Sequence, residues 1–247
     1  MVQAGGRGRN SALREKLDIA ARSVGWTGRR YRSRLRFAYR GMLFGGKRIL
    51  DVGCGAGKYS LWPAILGAEA VLAIEPEAAG ASCGNLDQLR QTADALDLRN
   101  LNMMPAFLED LRAEDGRFDV VMLWNVINHL DENAVQVLHE NEAARARFVG
   151  IFRHLKTLVA KDGIVIVADA ARHNFWPLLG LRSPVAPRVN WRKHQAPSVW
   201  RALMAEAGFG QQSLRWTPVW PFGRYSGNPI FQYFAGSHFT QTFVANE

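Results

Sequence analysis

The residues best equipped for chemistry lie in one stretch, residues 48–57, which reads R-I-L-D-V-G-C-G-A-G. Asp51 is followed by Gly53, Gly55 and Gly57 at every second position, with the small side chain of Cys54 between them. Glycine accepts left-handed backbone and lets a ligand approach the main chain. Such a turn aims N–H groups at a ligand. Glu75 stands 24 residues beyond Asp51, at the end of an apolar run. A carboxylate in that place can accept both hydroxyls of a ribose. Asn125 closes the later run 118–125, and His129 follows it, placed to take a proton from an acceptor hydroxyl. His173 and His194 are the alternatives should His129 only pack or cap a helix start.

These residues need a scaffold of strands and helices. Ile49, Leu50 and Val52 read as a strand covered on both faces, as in a parallel sheet. A short amphipathic helix is expected over 58–66, a second strand over 70–75, a helix over 78–96 and a third strand over 101–105. The fourth strand is 118–125, followed by a long helix or broken pair over 131–160. A fifth strand, 163–168, ends at Asp169. After a helix over 198–207 come strands at 212–219 and 239–244. Strands alternating with helical patterns predict an α/β protein with a doubly wound, mostly parallel, Rossmann-like sheet. Ahead of it, residues 1–10 read as irregular. Ser11 is a plausible cap for a helix to about residue 24, and 29–43 carries Tyr31, Leu35, Ala38, Tyr39 and Met42 at helical spacing. The expected organisation is a basic helical segment, 1–44, and a domain, 45–247, with insertions at 170–197 and 221–236. Long connections of that kind are more often functional than idle.

The spacing of the turn separates it from a dinucleotide fingerprint, G-x-G-x-x-G, whose third glycine would fall on Lys58. D-x-G-x-G-x-G with Glu75 at the next strand's end instead resembles the class I S-adenosylmethionine-dependent methyltransferases. The resemblance spans roughly residues 45–245. It implies a seven-stranded sheet with an antiparallel last strand and S-adenosyl-L-methionine as cofactor. On this resemblance Asp51, Gly53, Cys54, Gly55, Gly57, Glu75, Pro76, Phe107, Leu108 and Asn125 bind the cofactor, and His129 is catalytic. The sequence departs from the family at Phe107, which stands where an acid facing the adenine is usual, so stacking or backbone contacts would replace it. The chemistry implied is direct displacement at an activated methyl group, in which the protein aligns the acceptor and removes its proton.

Composition narrows the partners. Residues 1–48 hold thirteen Lys and Arg against two acids, a net +11, while the remainder carries −2. This asymmetry suits an anionic small molecule, a nucleic acid or an acidic membrane surface, or simply a solvated basic helix pair. A small-molecule or glycan- or lipid-linked acceptor is the first reading. The alternatives are an RNA methyltransferase using the basic segment and a non-catalytic binding protein of the same fold. Base amino-methylation calls for Asn/Asp-Pro-Pro-aromatic after the fourth strand, where this chain has Asn125-Val-Ile-Asn128; base C-methylation calls for a cysteine, and neither Cys54 nor Cys83 is placed for it. No metal site is expected from Asp131 and Asp169. Two cysteines make no disulfide framework. With no apolar run of membrane-spanning length and no signal-peptide core, a cytoplasmic location is the default expectation.

Overall fold

The structure, a computed structural model, describes residues 4–77, 83–113, 117–184, 187, 189–218 and 227–246. The chain divides after Asp110 into two compact units.

The first unit runs through α1 (Ala4–Ser23), α2 (Gly28–Ala38), β1 (Arg48–Val52), α3 (Leu61–Ile65), β2 (Ala70–Ile74), α4 (Asn85–Ala95) and β3 (Leu101–Met104). Its strands lie in the order β3-β2-β1. All are parallel, with Asp51 opposite Ala73 and Ile74 opposite Met104. Ile49, Leu50, Val71, Ala73 and Ile74 are fully buried, as a strand covered on both faces requires. On α2 the buried residues are Tyr31, Leu35 and Ala38, one stripe at helical spacing.

Helix boundaries differ from expectation in four places; one is α4, which starts at Asn85 after left-handed Gly84 (φ 80°), with residues 83–84 in a turn where the sequence predicts a helix from 78. The first helix begins at Ala4, so Ser11 lies inside it rather than capping it. The glycines near its start cost helix propensity, about 1 kcal/mol each, without forbidding the conformation. The second helix stops at Ala38 instead of continuing to 43, because Tyr39 leaves helical geometry and Gly41 turns left-handed at φ 80°. The third begins at Leu61, with residues 58–60 forming a turn, and its Leu61, Trp62, Pro63 and Ala64 are all buried. Pro63 lacks an N–H and so belongs in a helix's first turn. The helix is apolar throughout rather than amphipathic.

The second unit comprises β4 (Phe118–Trp124), α5 (Glu132–Gln136), α6 (Glu142–Leu158), β5 (Val159–Ala170), α7 (Phe175–Leu178), α8 (Pro197–Glu206), β6 (Phe209–Trp216), α9 (Pro229–Phe234) and β7 (His238–Ala245). Its strand order is β4-β5-β7-β6. β4 and β5 are parallel, and β7 runs antiparallel to both β5 and β6. Phe148, Phe152 and Trp200 meet in its core with ring centroids 5.5–6.3 Å apart. The region after β4 is the broken pair: Asp131 caps α5 through the Ala134 N–H, and Asn141 caps α6 through the Ala144 N–H. β6 starts three residues before the expected 212. The insertion at 170–197 contains α7 and a 3₁₀ turn over Trp191–Lys193. The one at 221–236 contains α9, whose Asn228 caps the Phe231 N–H ahead of Pro229; residues 221–226 of it lie outside the described residues.

The described residues thus hold seven strands, helices between them and an antiparallel last strand. This is the doubly wound, Rossmann-like class the sequence predicts. No helix among the described residues is long and apolar enough to cross a membrane.

Candidate functional site

In the first unit the chain leaves β1 and turns sharply through three left-handed glycines, Gly53 (φ 64°), Gly55 (φ 51°) and Gly57 (φ 77°). The three are not equivalent. A Cβ on Gly57 would come within 2.1 Å of Leu89 Cδ1, so the buried Leu89 side chain would have to shift to admit it. A Cβ on Gly55 would meet no atom closer than Asn85 Nδ2 at 3.9 Å. Gly55 is therefore a glycine beside open space, where a ligand can reach the main chain. The turn is pinned from three sides. The Cys54 N–H donates to Ile74 O (3.0 Å), the Gly57 N–H to Cys54 O (3.0 Å) and the Leu61 N–H to Gly57 O (3.0 Å).

Glu75 leaves the neighbouring strand and accepts the Gly55 N–H at 2.8 Å. The acid and the turn thus form one construction. Pro76 follows, and Glu77, left-handed at φ 47°, accepts the Leu86 N–H at the start of α4. Asp51 is 1% exposed and accepts the Ser60 hydroxyl at 2.5 Å. Burial raises its pKa to about 7; the Ser60 bond works against the rise and the Glu75 charge adds to it. The Cys54 thiol is pushed far up by burial and by the Asp51 and Glu75 charges, and its Sγ donates to Gly55 O. It stays protonated, with no nucleophilic role. Past β3, Phe107 is 56% exposed, and the carboxylate of Asp110 accepts its N–H at 2.8 Å; Leu108 is buried in a 3₁₀ turn. The structure brings Asp51, Gly53, Cys54, Gly55, Gly57 and Glu75 together, with Pro76 next in the chain. Phe107 and Leu108 lie beyond the end of the adjacent strand.

These residues fit the cofactor that the motif implies. Two buried carboxylates suit a ligand carrying an ammonium, and Glu75 at the strand end suits ribose hydroxyls. Open space at Gly55 leaves room for the ligand's approach, and exposed Phe107 offers a ring to an adenine.

Two tyrosines and a serine complete this construction, none of them among the expected site residues. The Tyr31 hydroxyl donates to Lys58 O (3.2 Å) and the Tyr39 hydroxyl to Tyr59 O (3.0 Å), tying α2 to the turn. The helical stripe of α2 showed that both tyrosines pack; it did not show their hydroxyls' targets. Ser60 lies nine residues from Asp51, and the fold of the turn alone makes them partners.

In the second unit Asn125 ends β4 left-handed, at φ 55°. Its N–H donates to Ala168 O at 2.7 Å, and its Oδ1 lies 2.8 Å from His238 Nε2. His238 Nδ1 is in turn 2.8 Å from the Thr217 hydroxyl. His129 sits in the 3₁₀ turn Ile127–His129, half-exposed, with Nδ1 2.6 Å from Glu132 Oε1. Glu132 Oε2 also receives Lys193 Nζ at 2.6 Å. Those two partners, Lys193 first, hold the Glu132 carboxyl below the usual carboxylate range. An ionised Glu132 fixes the imidazole by Nδ1 and leaves Nε2 as the basic nitrogen. Glu132, Lys193 and His238 escaped the sequence reading. Glu132 at i+3 from His129 was visible as spacing, whereas His238 lies 113 residues from Asn125. A second pair, His194 Nδ1 and Asp169 Oδ1, is 3.2 Å apart, with Asp169 buried within β5. Among the described residues no group of three or more His, Cys, Asp or Glu is placed to hold a metal ion.

Comparison with known proteins agrees with this construction. Residues 25–240 match the methyltransferase domain family. The chain belongs to that family. It is similar to a ubiquinone biosynthesis O-methyltransferase of Azorhizobium caulinodans, 27% identical over 169 residues, which are 68% of this chain and 61% of that protein. The match thus spans less than two thirds of the relative's length. The fold is similar to that of a putative S-adenosylmethionine-dependent methyltransferase of Listeria monocytogenes, with a TM-score of 0.62 and 15% identity over 88% of this chain and 99% of the other. A methyltransferase of Mesorhizobium loti gives 0.60 and 16%, over 85% and 95%. The [4+2]-cyclase SpnF shares the fold as well, at 0.59 and 16%, over 97% and 95%.

Proposed function

We propose that this enzyme moves the methyl group of S-adenosyl-L-methionine to a hydroxyl of a small-molecule or glycan- or lipid-linked acceptor by direct displacement. The cofactor supplies a methyl carbon already activated on a sulfonium. In this reading the turn over Gly53, Gly55 and Gly57 holds the methionine end, and Glu75 takes the ribose hydroxyls. Phe107 and Leu108 line the adenine, and Asn125 is a further cofactor-binding residue. His129, oriented by Glu132, accepts the acceptor's proton at Nε2. A hydroxyl is a weak nucleophile at neutral pH, so a positioned base matters more for it than for an amine.

The observation that carries the reading is the Gly55–Glu75 bond beside open space. It joins one of the motif's glycines directly to its acid, which supports a shared role for them. The O-methyltransferase relative supports a hydroxyl acceptor. A cyclase among the structural neighbours means that the fold alone does not decide methyl transfer. The test is a panel of phenolic, glycosidic and lipid-linked hydroxyl acceptors with methyl-labelled cofactor. Label transfer that His129→Ala slows by about 10²–10⁴-fold supports the reading. Transfer to RNA alone, or to none of the panel despite tight cofactor binding, would overturn it.

A further inference from the structure

Nine large apolar side chains are exposed among the described residues, and five of them lie on the two insertions of the second unit. They are Leu178, Leu179, Leu181, Ile230 and Phe234, each 47–74% exposed. Apolar side chains exposed singly are ordinary, whereas a contiguous group of them marks an interaction surface. These five are contiguous. α7 ends in a turn where the N–H groups of Leu179 and Leu181 both donate to Trp176 O, at 3.1 and 2.9 Å, which gathers the leucines around Trp176. Trp176 Nε1 donates to Phe234 O at 2.7 Å, and the rings of Phe175 and Phe234 lie 4.9 Å apart. Ile230 stands one turn before Phe234, on the same side of α9.

The base beneath this face is pinned. Asn174 is fully buried, and its Nδ2 donates to Ala235 O (2.8 Å) and to the Ser237 hydroxyl (3.0 Å), which in turn donates to His173 O (2.8 Å). Satisfied polar groups below and apolar side chains above make a prepared surface rather than a loosely packed core. Its surroundings are cationic: residues 170–197 and 207–237 hold seven Lys and Arg and no Asp or Glu. Lys193 is held by Glu132, while Arg182 is exposed and directly follows Leu181. Two copies of this face would set like charges against each other, which disfavours self-association. Leucine and isoleucine give a nucleic acid no ring on which a base can stack. Leucines beside a tryptophan and arginine, with no acid among them, complement an anionic lipid surface: the acyl boundary takes the apolar side chains and the headgroups take the cations.

We infer that α7, the turn after it and α9 form a docking face for the surface of an anionic phospholipid bilayer. The leucines, Ile230 and Phe234 enter the headgroup–acyl boundary, and the flanking arginines meet the lipid phosphates. The inference goes beyond the methyl-transfer reading and does not depend on it.

The test is co-sedimentation of the full chain with vesicles of phosphatidylglycerol and phosphatidylcholine in equal parts and, separately, of phosphatidylcholine alone. It compares wild type with Leu178→Glu, Ile230→Glu and Leu43→Glu. Leu43 is exposed in the first unit and controls for the same change made elsewhere. Wild type should bind the anionic vesicles, and bind phosphatidylcholine alone at least about fivefold more weakly, the worth of one basic residue near such a surface. Leu178→Glu and Ile230→Glu should each weaken anionic-vesicle binding about tenfold or more, since each withdraws an apolar side chain and adds a repelled charge; Leu43→Glu should stay within about twofold. Thermal unfolding should be unchanged in all three, as expected of surface positions, which also shows that they fold. Absence of wild-type binding to anionic vesicles overturns the inference. So does an equal loss in all three variants, which would mean that net charge alone decides. Binding that all three variants keep and high salt removes would assign the membrane contact to the basic segment 1–44 instead. A wild-type dimer in sedimentation velocity without vesicles, lost in Leu178→Glu, would make this face a contact between copies of the chain and overturn the inference as well.

Discussion

Replacing Asp51 by asparagine tests whether the glycine turn is built on a carboxylate that the ligand-free protein holds as its acid. Asp51 is 1% exposed, and burial, opposed by Ser60 and assisted by Glu75, lifts its pKa from 3.8 to about 7. Below pH ~4 both folded and unfolded chains carry this proton, so the group contributes nothing to the pH dependence. Between ~4 and ~7 the folded chain keeps a proton that the unfolded chain has released. Stability is therefore lost as pH rises through this window, and the loss levels off above it. A rise of about three pH units corresponds to about 4 kcal/mol. Asparagine mimics the protonated form and cannot titrate. In urea unfolding of the ligand-free protein, the stability of wild type minus that of Asp51→Asn should fall by about 3 kcal/mol between pH 4.5 and 8. Groups that do not interact with Asp51 cancel in that difference. A difference constant to within about 1 kcal/mol would refute the reasoning. The same proton governs binding: an ammonium-bearing ligand favours the ionised carboxylate. S-adenosylhomocysteine affinity should rise from pH 5.5 to 8 in wild type and stay flat in the variant.

Gly57→Ala should cost about 1–3 kcal/mol, from left-handed strain and from the 2.1 Å approach to Leu89. Adding Leu89→Ala should recover the clash but not the strain, leaving a double mutant less destabilised than the two single losses combined, read by urea unfolding. Glu132→Gln keeps the side chain's shape while removing the charge that fixes His129 and holds Lys193. Turnover should fall about tenfold or more with S-adenosylhomocysteine affinity unchanged, whereas an unaltered pH–rate profile would deny the pair a part in the chemistry. Tyr31→Phe removes the hydroxyl bond to Lys58 O and should cost about 1 kcal/mol, with cofactor affinity reduced in step; thermal unfolding with and without S-adenosylhomocysteine reads both.

What the sequence made legible follows from how local each signal is. Asp51, three alternating glycines and Glu75 announced themselves because strand, turn and strand end are set by short-range backbone geometry. The apolar runs located all seven strands for the same reason, with ends displaced by a few residues. Helix limits were less legible where context overrides propensity: the first helix absorbs Gly5, Gly6 and Gly8, and Pro63 delays the third to Leu61. The Asn228–Pro229 start of α9 was written in the sequence as a cap followed by proline, and was passed over inside a stretch read as loop. Contacts distant in sequence had no local signature at all. Asn125 with His238, Glu132 with Lys193, and Trp176 with Phe234 exist because the fold returns the chain to the same place.

The central claim is that the glycine turn and Glu75 together hold S-adenosyl-L-methionine. Thermal unfolding of wild type and Glu75→Ala, each with S-adenosylhomocysteine or NAD, addresses it most directly. At about 100-fold over its dissociation constant a ligand stabilises by about 2.7 kcal/mol, a rise in Tm of roughly 5–10 °C for a chain of this size. The account predicts that rise for wild type with S-adenosylhomocysteine, a much smaller one for Glu75→Ala, and none for either protein with NAD. A full rise with NAD and none with S-adenosylhomocysteine would contradict it.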